Sequence, residues 1–236
     1  KVFDSSGAYL RSFGGYGNAC YQWQYARQFT IYNDVVYIAD TYGKKVKSLT
    51  LTGQCKDIWF TGQYPHAIAA NSNYVFVGHP SNSISVLDHR LNQRTTQSIN
   101  SNYLSYAWGM SINPAGNKLA IADYNKNHVV EFSISGDWLT YTQKTSSTYS
   151  SGNGYFQRPT DTGYDSSGNI YVTDLYAHRV QKFNSSLVYQ SKVGSYSTSS
   201  GFRYPYGMHV DSNDKIYATD FYNYAVRQYD TSLSET

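Results

Sequence analysis

The sequence predicts an all-β fold, a β-propeller built from four-stranded antiparallel blades. The main observation is a sequence motif that occurs five times, in which an alternating apolar run ends in Asp or in a residue that replaces it. In register, the five copies are Val36-Tyr37-Ile38-Ala39-Asp40, Val75-Phe76-Val77-Gly78-His79, Leu119-Ala120-Ile121-Ala122-Asp123, Ile170-Tyr171-Val172-Thr173-Asp174 and Ile216-Tyr217-Ala218-Thr219-Asp220. Their last residues are 39, 44, 51 and 46 positions apart, a period typical of solenoids and propellers. Apolar residues do not recur at helical spacing over a dozen positions, so we expect almost no helix.

Each copy can be divided into four strands joined by turns. The first strand of the fourth copy runs from Pro159 to Tyr164, and the turn Asp165-Ser166-Ser167-Gly168 connects it to the second strand, which carries the repeated motif. Asp and Asn stabilise such turns by bonding their own backbone, and Gly supplies positive φ. The third strand alternates apolar and polar residues, as in Arg179-Val180-Gln181-Lys182-Phe183, which predicts one buried face.

A weaker fourth strand follows another turn, as at Asp4-Ser5-Ser6-Gly7 before the run from Ala8 to Phe13. The Asp that ends each second strand is expected to accept backbone N–H groups from the next turn, as Asx residues do. Radial repetition of such sheets protects their edges, which favours a propeller.

The number of second strands predicts five blades, with six possible. The segment from Lys1 to Phe13 supplies a lone fourth strand, so the predicted ring closes by pairing of the N- and C-terminal strands in one blade. However, Val2-Phe3-Asp4 and Gln228-Tyr229-Asp230 occupy the same register. Either this overlap frays, or the chain belongs to a longer array with a sixth blade. We expect one domain over residues 1–236, as a segment of a longer polypeptide.

The composition narrows the classes of partner. Charged residues make up 15% of the chain and Tyr alone contributes 26 residues, while 19 basic and 16 acidic groups give a net charge of +3. Basic residues form no run, so nucleic acid is not an expected partner. An apolar segment of 18 residues is also absent from the sequence, so we expect no membrane span.

Two cysteines, Cys20 and Cys55, could form one disulfide, or both could be free buried thiols. Few Lys and Glu residues and abundant Tyr, Ser and Asn favour an extracellular location, secreted or associated with the cell surface. Asn184-Ser185-Ser186 is a formal N-glycosylation acceptor at a predicted hairpin tip.

The repeat resembles the NHL repeat. The resemblance rests on Pro-x-Gly, Ile-Tyr-Val-x-Asp, Asn/His-Arg-Val-x-x-Phe and Asp-Ser-Ser-Gly, which are matched best by residues 156–183 and 202–229 and more loosely by the earlier units. It implies a propeller, most often six-bladed, in which the first strands line a central channel and the residues at their start surround one mouth. A count of five blades departs from that pattern.

Aligned in this way, five residues are expected at one level of the channel mouth: Arg27, His66, Trp108, Thr160 and Tyr206. The next level contains Gln28, Ala67, Gly109, Asp161 and Gly207. Because every blade has the same structural needs, a difference between copies indicates a site. The candidate ligand contacts are Arg27, His66, Trp108, Asp161 and Tyr206. The alternative is a hydrated channel mouth without a dedicated ligand.

Catalysis is not the expected function, and no catalytic residue, metal or cofactor is predicted. The run from Tyr64 to Ala69 is similar to the Pro-His-x-Ile/Leu-Ala context in which a relative, peptidylglycine amide lyase, holds zinc on histidines. A catalytic zinc needs about three protein ligands, and the positions equivalent to His66 hold none. The histidines at 89, 128 and 178 are interpreted as surface residues.

Aromatic residues outside the repeat predict a contact surface. The candidates are Tyr16, Tyr21, Trp23, Tyr25, Tyr103 and Tyr106. The preferred function is a non-catalytic extracellular interaction or assembly module, which would contact a protein partner or assemble with itself. A glycan or small polar ligand at the channel mouth is the alternative. A metal-dependent lyase or hydrolase and an RNA-binding domain are less favoured.

Overall fold

A computed structural model describes residues 1–4, 6–197 and 201–236. An N-terminal pair of short strands, β1 (Val2–Phe3) and β2 (Tyr9–Arg11), forms a separate two-stranded sheet. The first blade contains β3 (Ala26–Tyr32), β4 (Val35–Asp40), β5 (Lys45–Thr50) and β6 (Cys55–Phe60). The second contains β7 (Ala67–Ala70), β8 (Val75–Gly78), β9 (Ser83–Leu87) and β10 (Gln93–Ser98).

Three further sheets continue the repeat. The third blade contains β11 (Ala107–Ile112), β12 (Lys118–Asp123), β13 (His128–Ser135) and β14 (Trp138–Lys144). The fourth contains β15 (Pro159–Tyr164), β16 (Ile170–Asp174), β17 (Arg179–Phe183) and β18 (Tyr189–Val193). The fifth contains β19 (Pro205–Val210), β20 (Ile216–Asp220) and β21 (Ala225–Tyr229). The predicted all-β propeller of five blades is therefore confirmed.

Helix is almost absent from the described residues, as expected. The helical element there is one 3₁₀ turn, Phe221–Asn223, between β20 and β21. No described helix is long and apolar enough to cross a membrane.

Successive sheets pack through their innermost strands, because β3 contacts β7, β7 contacts β11, β11 contacts β15 and β15 contacts β19. Apolar side chains from two neighbouring blades fill each interface. Between the fourth and fifth blades, for example, Tyr171 and Val180 pack with Ile216 and Ala218. Burial of such side chains is the main stabilising contribution, about 1.5–3 kcal/mol for each large aliphatic residue.

The Asp that ends each second strand is fully buried, and its main partners differ from those expected. Asp40 accepts the N–H groups of Gln24 and Tyr25, and Asp174 accepts that of Gln157. These donors lie in the segment that enters the blade, before its first strand, rather than in the following turn. Asp123 bonds both segments, since it accepts from Ser105 and also from Asn125 and Lys126. The carboxylate therefore anchors the crossover from the preceding blade.

The predicted pairing of N- and C-terminal strands is not observed. Among the described residues, β1 pairs with β2, whereas β21 is approached by the residues that follow it. Tyr229 forms an antiparallel bridge with Glu235, and Thr236 donates to the carbonyl of Gln228. The reason is local, because the turn at Asp230 to Leu233 returns the chain to the edge of β21.

Candidate functional site

The predicted channel-mouth residues lie at the start of the innermost strands, where the sheet register is irregular. Arg27, Trp108 and Thr160 each sit at a register shift between the first and second strands of their blades. Tyr206 lies within a similar shift, and His66 directly precedes β7. A β-bulge turns a side chain away from the regular alternation. The irregularity therefore frees Arg27, Trp108 and Tyr206 from the inter-blade core, whereas Thr160 stays buried.

Arg27, His66 and Trp108 form the centre of this mouth. Arg27 Nη1 lies 2.8 Å from His66 Nδ1, and the guanidinium carbon is 3.8 Å from the centroid of the Trp108 ring. A guanidinium can only donate, so His66 Nδ1 accepts and the proton of the neutral imidazole is on Nε2. Nε2 faces Tyr106 Oη at 3.4 Å. Burial, and then the positive charge of Arg27, lower the pKa of His66 to about 3.

Aromatic rings surround this centre. The Trp108 ring stacks on Tyr124 with centroids 4.1 Å apart, and the rings of Tyr106 and Tyr206 lie 5.3 and 6.0 Å from it. Burial raises the pKa of Tyr206 to about 12 and also raises that of Tyr106. Both hydroxyls therefore stay protonated at neutral pH and can donate hydrogen bonds.

A shallow cavity of about 430 Å³ continues from Tyr206 toward the edge of this face. It is lined by Leu175, Tyr176, Arg203, Tyr204, Tyr206, Phe221 and Tyr222. Tyr176 and Tyr204 meet edge to face at 5.8 Å, and Tyr204 and Tyr222 at 5.2 Å. The candidate residues chosen from the sequence do not include this extension of the mouth. A tyrosine follows every second strand except that of the second blade, and this recurrence was the available signal.

Thr160 and Asp161 are not part of the mouth as Arg27, His66 and Trp108 are. Thr160 is buried, and its hydroxyl lies 3.0 Å from that of Thr173. Asp161 is buried one residue deeper in the channel, where Oδ1 accepts from Gln28 Nε2 at 2.9 Å and Oδ2 accepts the N–H of Met208 at 3.0 Å. Its carboxylate is engaged by the protein itself.

Gln28 and Asp161 together connect all five blades inside the channel. From the first blade, Gln28 accepts the N–H of Ile68 in the second and donates to the carbonyl of Met110 in the third. It also donates to Asp161 in the fourth blade, which in turn binds Met208 in the fifth. Burial raises the pKa of Asp161 to about 7, against the hydrogen bonds from Met208 and Thr162, which lower it. The channel below the mouth is thus closed by a polar network.

The six candidate contact aromatics do not form one surface. Tyr16, Tyr21 and Tyr25 are exposed, whereas Trp23 packs edge to face on Phe13 against the first blade. The other two separate further, since Tyr103 stacks on Tyr141 with centroids 3.8 Å apart and Tyr106 belongs to the mouth.

Other predicted positions can be located. Cys20 and Cys55 are joined by a disulfide with their Cα atoms 5.6 Å apart, and Asn184 lies in the turn between β17 and β18. The interpretation of His128 as a surface residue is wrong, because its ring is fully buried between Tyr103 O and Ser147 Oγ. No group of three or more His, Cys, Asp or Glu residues in the described part of the chain could hold a metal ion.

Comparison with known proteins supports the repeat and the fold. The NHL repeat profile matches residues 156–183, which span most of the fourth blade, and no curated protein matches the sequence. Virginiamycin B lyase from Staphylococcus aureus superposes with a TM-score of 0.65 at 13% identity, over 88% of this chain and 67% of its own. Its catalytically inactive histidine-to-alanine variant with quinupristin gives 0.67 at 14% identity, with the same coverage.

A chain from a solved protein complex shares the same architecture. The nidogen/laminin complex contains a chain that superposes with a TM-score of 0.66 at 16% identity, over 86% of this chain and 74% of that one. Identities this low establish the common fold alone.

The prediction of a non-catalytic interaction module is wrong, because the repeat and the fold do not distinguish such a module from an enzyme. A lyase and a chain of the nidogen/laminin complex have equally similar structures, so the propeller does not exclude catalysis. The chain is a five-bladed β-propeller that carries an NHL repeat in its fourth blade.

Proposed function

We propose that the channel mouth binds a small organic anion that combines a carboxylate with a flat apolar group. The observation that carries this proposal is the state of Arg27. None of the ion pairs found among the described residues involves Arg27, whereas the buried cations Lys47 and Arg179 each pair with an Asp. Arg27 is instead held by a neutral histidine and an aromatic face, which leaves its charge uncompensated.

The neighbours of Arg27 favour the same class of ligand. Protonated Tyr106 and Tyr206 supply hydroxyl donors, and the Trp108 ring offers an apolar plane. A guanidinium binds a carboxylate through two parallel hydrogen bonds, and partial burial strengthens that attraction relative to water. Carboxylates of the protein lie deeper, where Asp161 is already bonded. The mouth is therefore complementary to an anion and disfavours a cation.

Calorimetric titration with small aromatic carboxylates and their neutral amides tests the proposal. Phenylacetate and indole-3-acetate are suitable acids, and each acid should bind at least about tenfold more tightly than its amide, since a charged hydrogen-bonded pair contributes about 1.5–3 kcal/mol. Arg27→Gln should abolish this preference. Arg11→Gln is the matched control, because Arg11 is exposed and, within the described part of the chain, donates to the carbonyl of Leu51. Equal binding of acid and amide, or an unchanged preference in Arg27→Gln, would refute an anion site.

A second candidate function is lyase chemistry at the same mouth. It is favoured by the fold shared with virginiamycin B lyase, whose inactive variant replaces a histidine, and by the buried neutral His66 beside Arg27. In the free protein, His66 Nδ1 is occupied by Arg27, so a ligand anion that attracts the guanidinium would release this nitrogen as a proton acceptor. Mass spectrometry of quinupristin incubated with the chain and with His66→Ala tests this candidate. Lack of turnover would exclude this lyase function. The anion-binding proposal would still be tested separately by the calorimetric titration.

We also propose that the chain works in an oxidising, extracellular setting. The Cys20–Cys55 disulfide supports this location, because such bonds persist mainly outside the reducing cytosol. Mass spectrometry of the protein isolated from its native source after thiol alkylation checks it. Two alkylated cysteines would contradict the proposal.

A further inference from the structure

Arg203 differs from the residues that occupy its position in other blades. Its backbone N–H donates to Asp220 Oδ1 at 2.7 Å, the contact that anchors the crossover into the fifth blade. The equivalent donors in the first, third and fourth blades are Gln24, Ser105 and Gln157. All three are uncharged, so the crossover itself does not require a cation. A positive charge at this position in one blade therefore indicates a role other than anchoring.

The guanidinium of Arg203 forms no ion pair with another described residue. In the described part of the chain, its Nε is buried without a hydrogen-bond partner. The rings of Tyr196 and Tyr222 have their centroids 5.9 and 5.7 Å from the guanidinium carbon. The carboxylate of Asp220 pairs instead with Arg227 Nε at 2.9 Å. Because a buried donor without an acceptor costs free energy, Arg203 is suited to an acceptor that a ligand supplies.

A row of aromatic rings joins Arg203 to the channel mouth. Arg203 and Tyr206 both line the cavity of about 430 Å³, and the Tyr206 ring also lies close to that of Trp108 in the mouth. The centroids of successive rings in the row are 6.0, 6.2 and 5.0 Å apart. From Arg27 to Arg203, the rings are those of Trp108, Tyr206, Phe221 and Tyr222.

Both ends of this row carry a positive charge that is open to a ligand. Arg27 Nε, like Arg203 Nε, is buried without a hydrogen-bond partner among the described residues. Next to Arg203, His178 Nδ1 accepts the N–H of Tyr204 at 3.1 Å. Burial, and then the charge of Arg203, lower the pKa of His178, so this histidine is neutral at neutral pH. The row is therefore an apolar strip between two arginines.

We propose that the ligand of the mouth is an elongated diacid, with one carboxylate on Arg27, a flat apolar segment along the aromatic row and a second carboxylate on Arg203. This inference rests on the anion site proposed above and adds the second charge and the length of the ligand. A charged hydrogen bond at each end satisfies both buried donors. Joining the two anionic groups in one molecule makes the second contact intramolecular, which raises affinity without a second association step.

Calorimetric titration of three aromatic diacids of increasing length tests this inference. The probes are para-phenylenediacetate, biphenyl dicarboxylate and stilbene dicarboxylate. Each is compared with its own monoamide, which has the same skeleton and one negative charge less. We expect the diacid of matching length to bind at least about tenfold more tightly than its monoamide, which exceeds the statistical advantage of two equivalent ends.

Three variants assign the gain to its cause. Arg203→Gln should remove the gain and leave binding of the monoamide largely unchanged. This variant should fold, because Gln24 and Gln157 occupy the equivalent position in two other blades. Arg11→Gln removes the same charge from an exposed side chain and should preserve the gain. Arg27→Gln should weaken the diacid and the monoamide alike.

The inference and the proposed function fail in different ways. If every diacid binds like its monoamide, or if the gain survives Arg203→Gln, the second contact does not exist and the inference is overturned. A gain that Arg11→Gln also removes would reflect net charge and would overturn it as well. Neither result affects the anion site, which is judged by the preference for acids over neutral amides and its loss in Arg27→Gln. If that preference is absent, the proposed function is refuted, and the inference is refuted with it.

Discussion

The side chains of Gln28 and Asp161 show how one pair of residues can connect a whole ring. Both lie at the second level of the channel, where the other blades carry Ala67, Gly109 and Gly207. The absence of bulky side chains in those blades leaves room for the pair. At Gly109, a Cβ atom would lie 2.4 Å from the carbonyl oxygen of Thr160 and 2.5 Å from Asp161 Oδ1, so this glycine is required by the close approach of β15.

Replacing Asp161 should change how stability depends on pH. Burial raises its folded pKa to about 7 from an ordinary value of 3.8, so between these two pH values the folded state holds a proton that the unfolded state has released. The stabilising contribution of this carboxyl is then complete below about pH 4 and is lost as the pH rises through about 7. In urea titrations at pH 4.5, 6 and 8, the free energy of unfolding of the natural chain should fall as the pH rises. That of Asp161→Asn should not fall in the same way, so the variant should gain stability relative to the natural chain at high pH. The exposed Asp34→Asn is the control, and parallel pH profiles for the natural chain and Asp161→Asn would contradict this assignment.

Titration of His66 gives a second test of the mouth. Its pKa is lowered to about 3 by burial and by Arg27, so its ring resonances should not titrate between pH 5 and 8 in NMR spectra. Arg27→Gln removes the nearby charge and should raise this pKa, although burial keeps it below 6.5. A titration midpoint near 6.5 in the natural chain would show that His66 is not enclosed by Arg27 and Trp108.

At the scale of single elements, the crossovers into the first, third, fourth and fifth blades are held by the buried Asp at the end of the second strand. In the fourth blade, Asp174 pairs with Arg179 Nε at 2.9 Å, and the guanidinium also donates to the carbonyls of Ser151, Gly152 and Tyr155. One carboxylate thus fixes an arginine that binds the incoming loop. The repeated motif in the sequence reflects this arrangement.

Removing that carboxylate should be strongly destabilising. Asp174→Ala leaves the buried Arg179 without its counter-charge, and breaking a buried pair by removing one partner costs about 3–5 kcal/mol. Asp88→Ala is the comparison, because Asp88 is partly exposed and accepts hydrogen bonds from Arg90 and Asn92 within its own turn, where water can take its place and the loss should be about 1 kcal/mol. Chemical denaturation measures both. Equal losses would show that the crossover does not depend on Asp174.

The disulfide should stabilise the first blade by joining its crossover to β6. Cys20 and Cys55 are 35 residues apart, and closing a loop of this length stabilises a protein by about 2–4 kcal/mol. The double variant Cys20→Ser with Cys55→Ser should lose about this amount in urea unfolding. Reduction of the natural chain should give a similar loss, and unchanged stability after reduction would contradict a structural role.

At the scale of the whole molecule, Val180 and Val226 occupy the same position of the third strand in the fourth and fifth blades. Comparing them shows whether the fifth blade is covered on its outer side. Val180 is completely buried between the fourth and fifth blades, while Val226 is exposed on the far side of the fifth. Loss of two buried methyl groups costs about 2 kcal/mol, whereas an exposed substitution stays within about 0.5 kcal/mol. Val180→Ala should therefore lower the unfolding free energy by about 2 kcal/mol and Val226→Ala hardly at all. Equal effects would mean that the fifth blade is covered in solution.

Much of this architecture could be predicted from the sequence because its repeats are local patterns. Alternation over five residues places Tyr171 and Val172 on opposite faces, and an Asx turn needs only its own residues. The common level of Arg27, His66, Trp108 and Tyr206 also followed from register, while its place at a channel mouth was implied by the resemblance to the NHL repeat. None of these inferences requires knowledge of residues far away in the chain.

The sequence by itself determined the strands, their register and the residues that differ between blades, since each depends on neighbours within about 50 positions. It left the choice between five and six blades open. Only the tertiary structure decided that Arg27 stacks on Trp108, that Asp161 bonds Gln28 rather than facing the mouth, and that the terminal strands do not pair. These contacts join residues 81 and 133 positions apart, or opposite ends of the chain. Their geometry depends on how far each sheet is rotated about the common axis, and that rotation is set by packing between blades, which a single repeat does not encode.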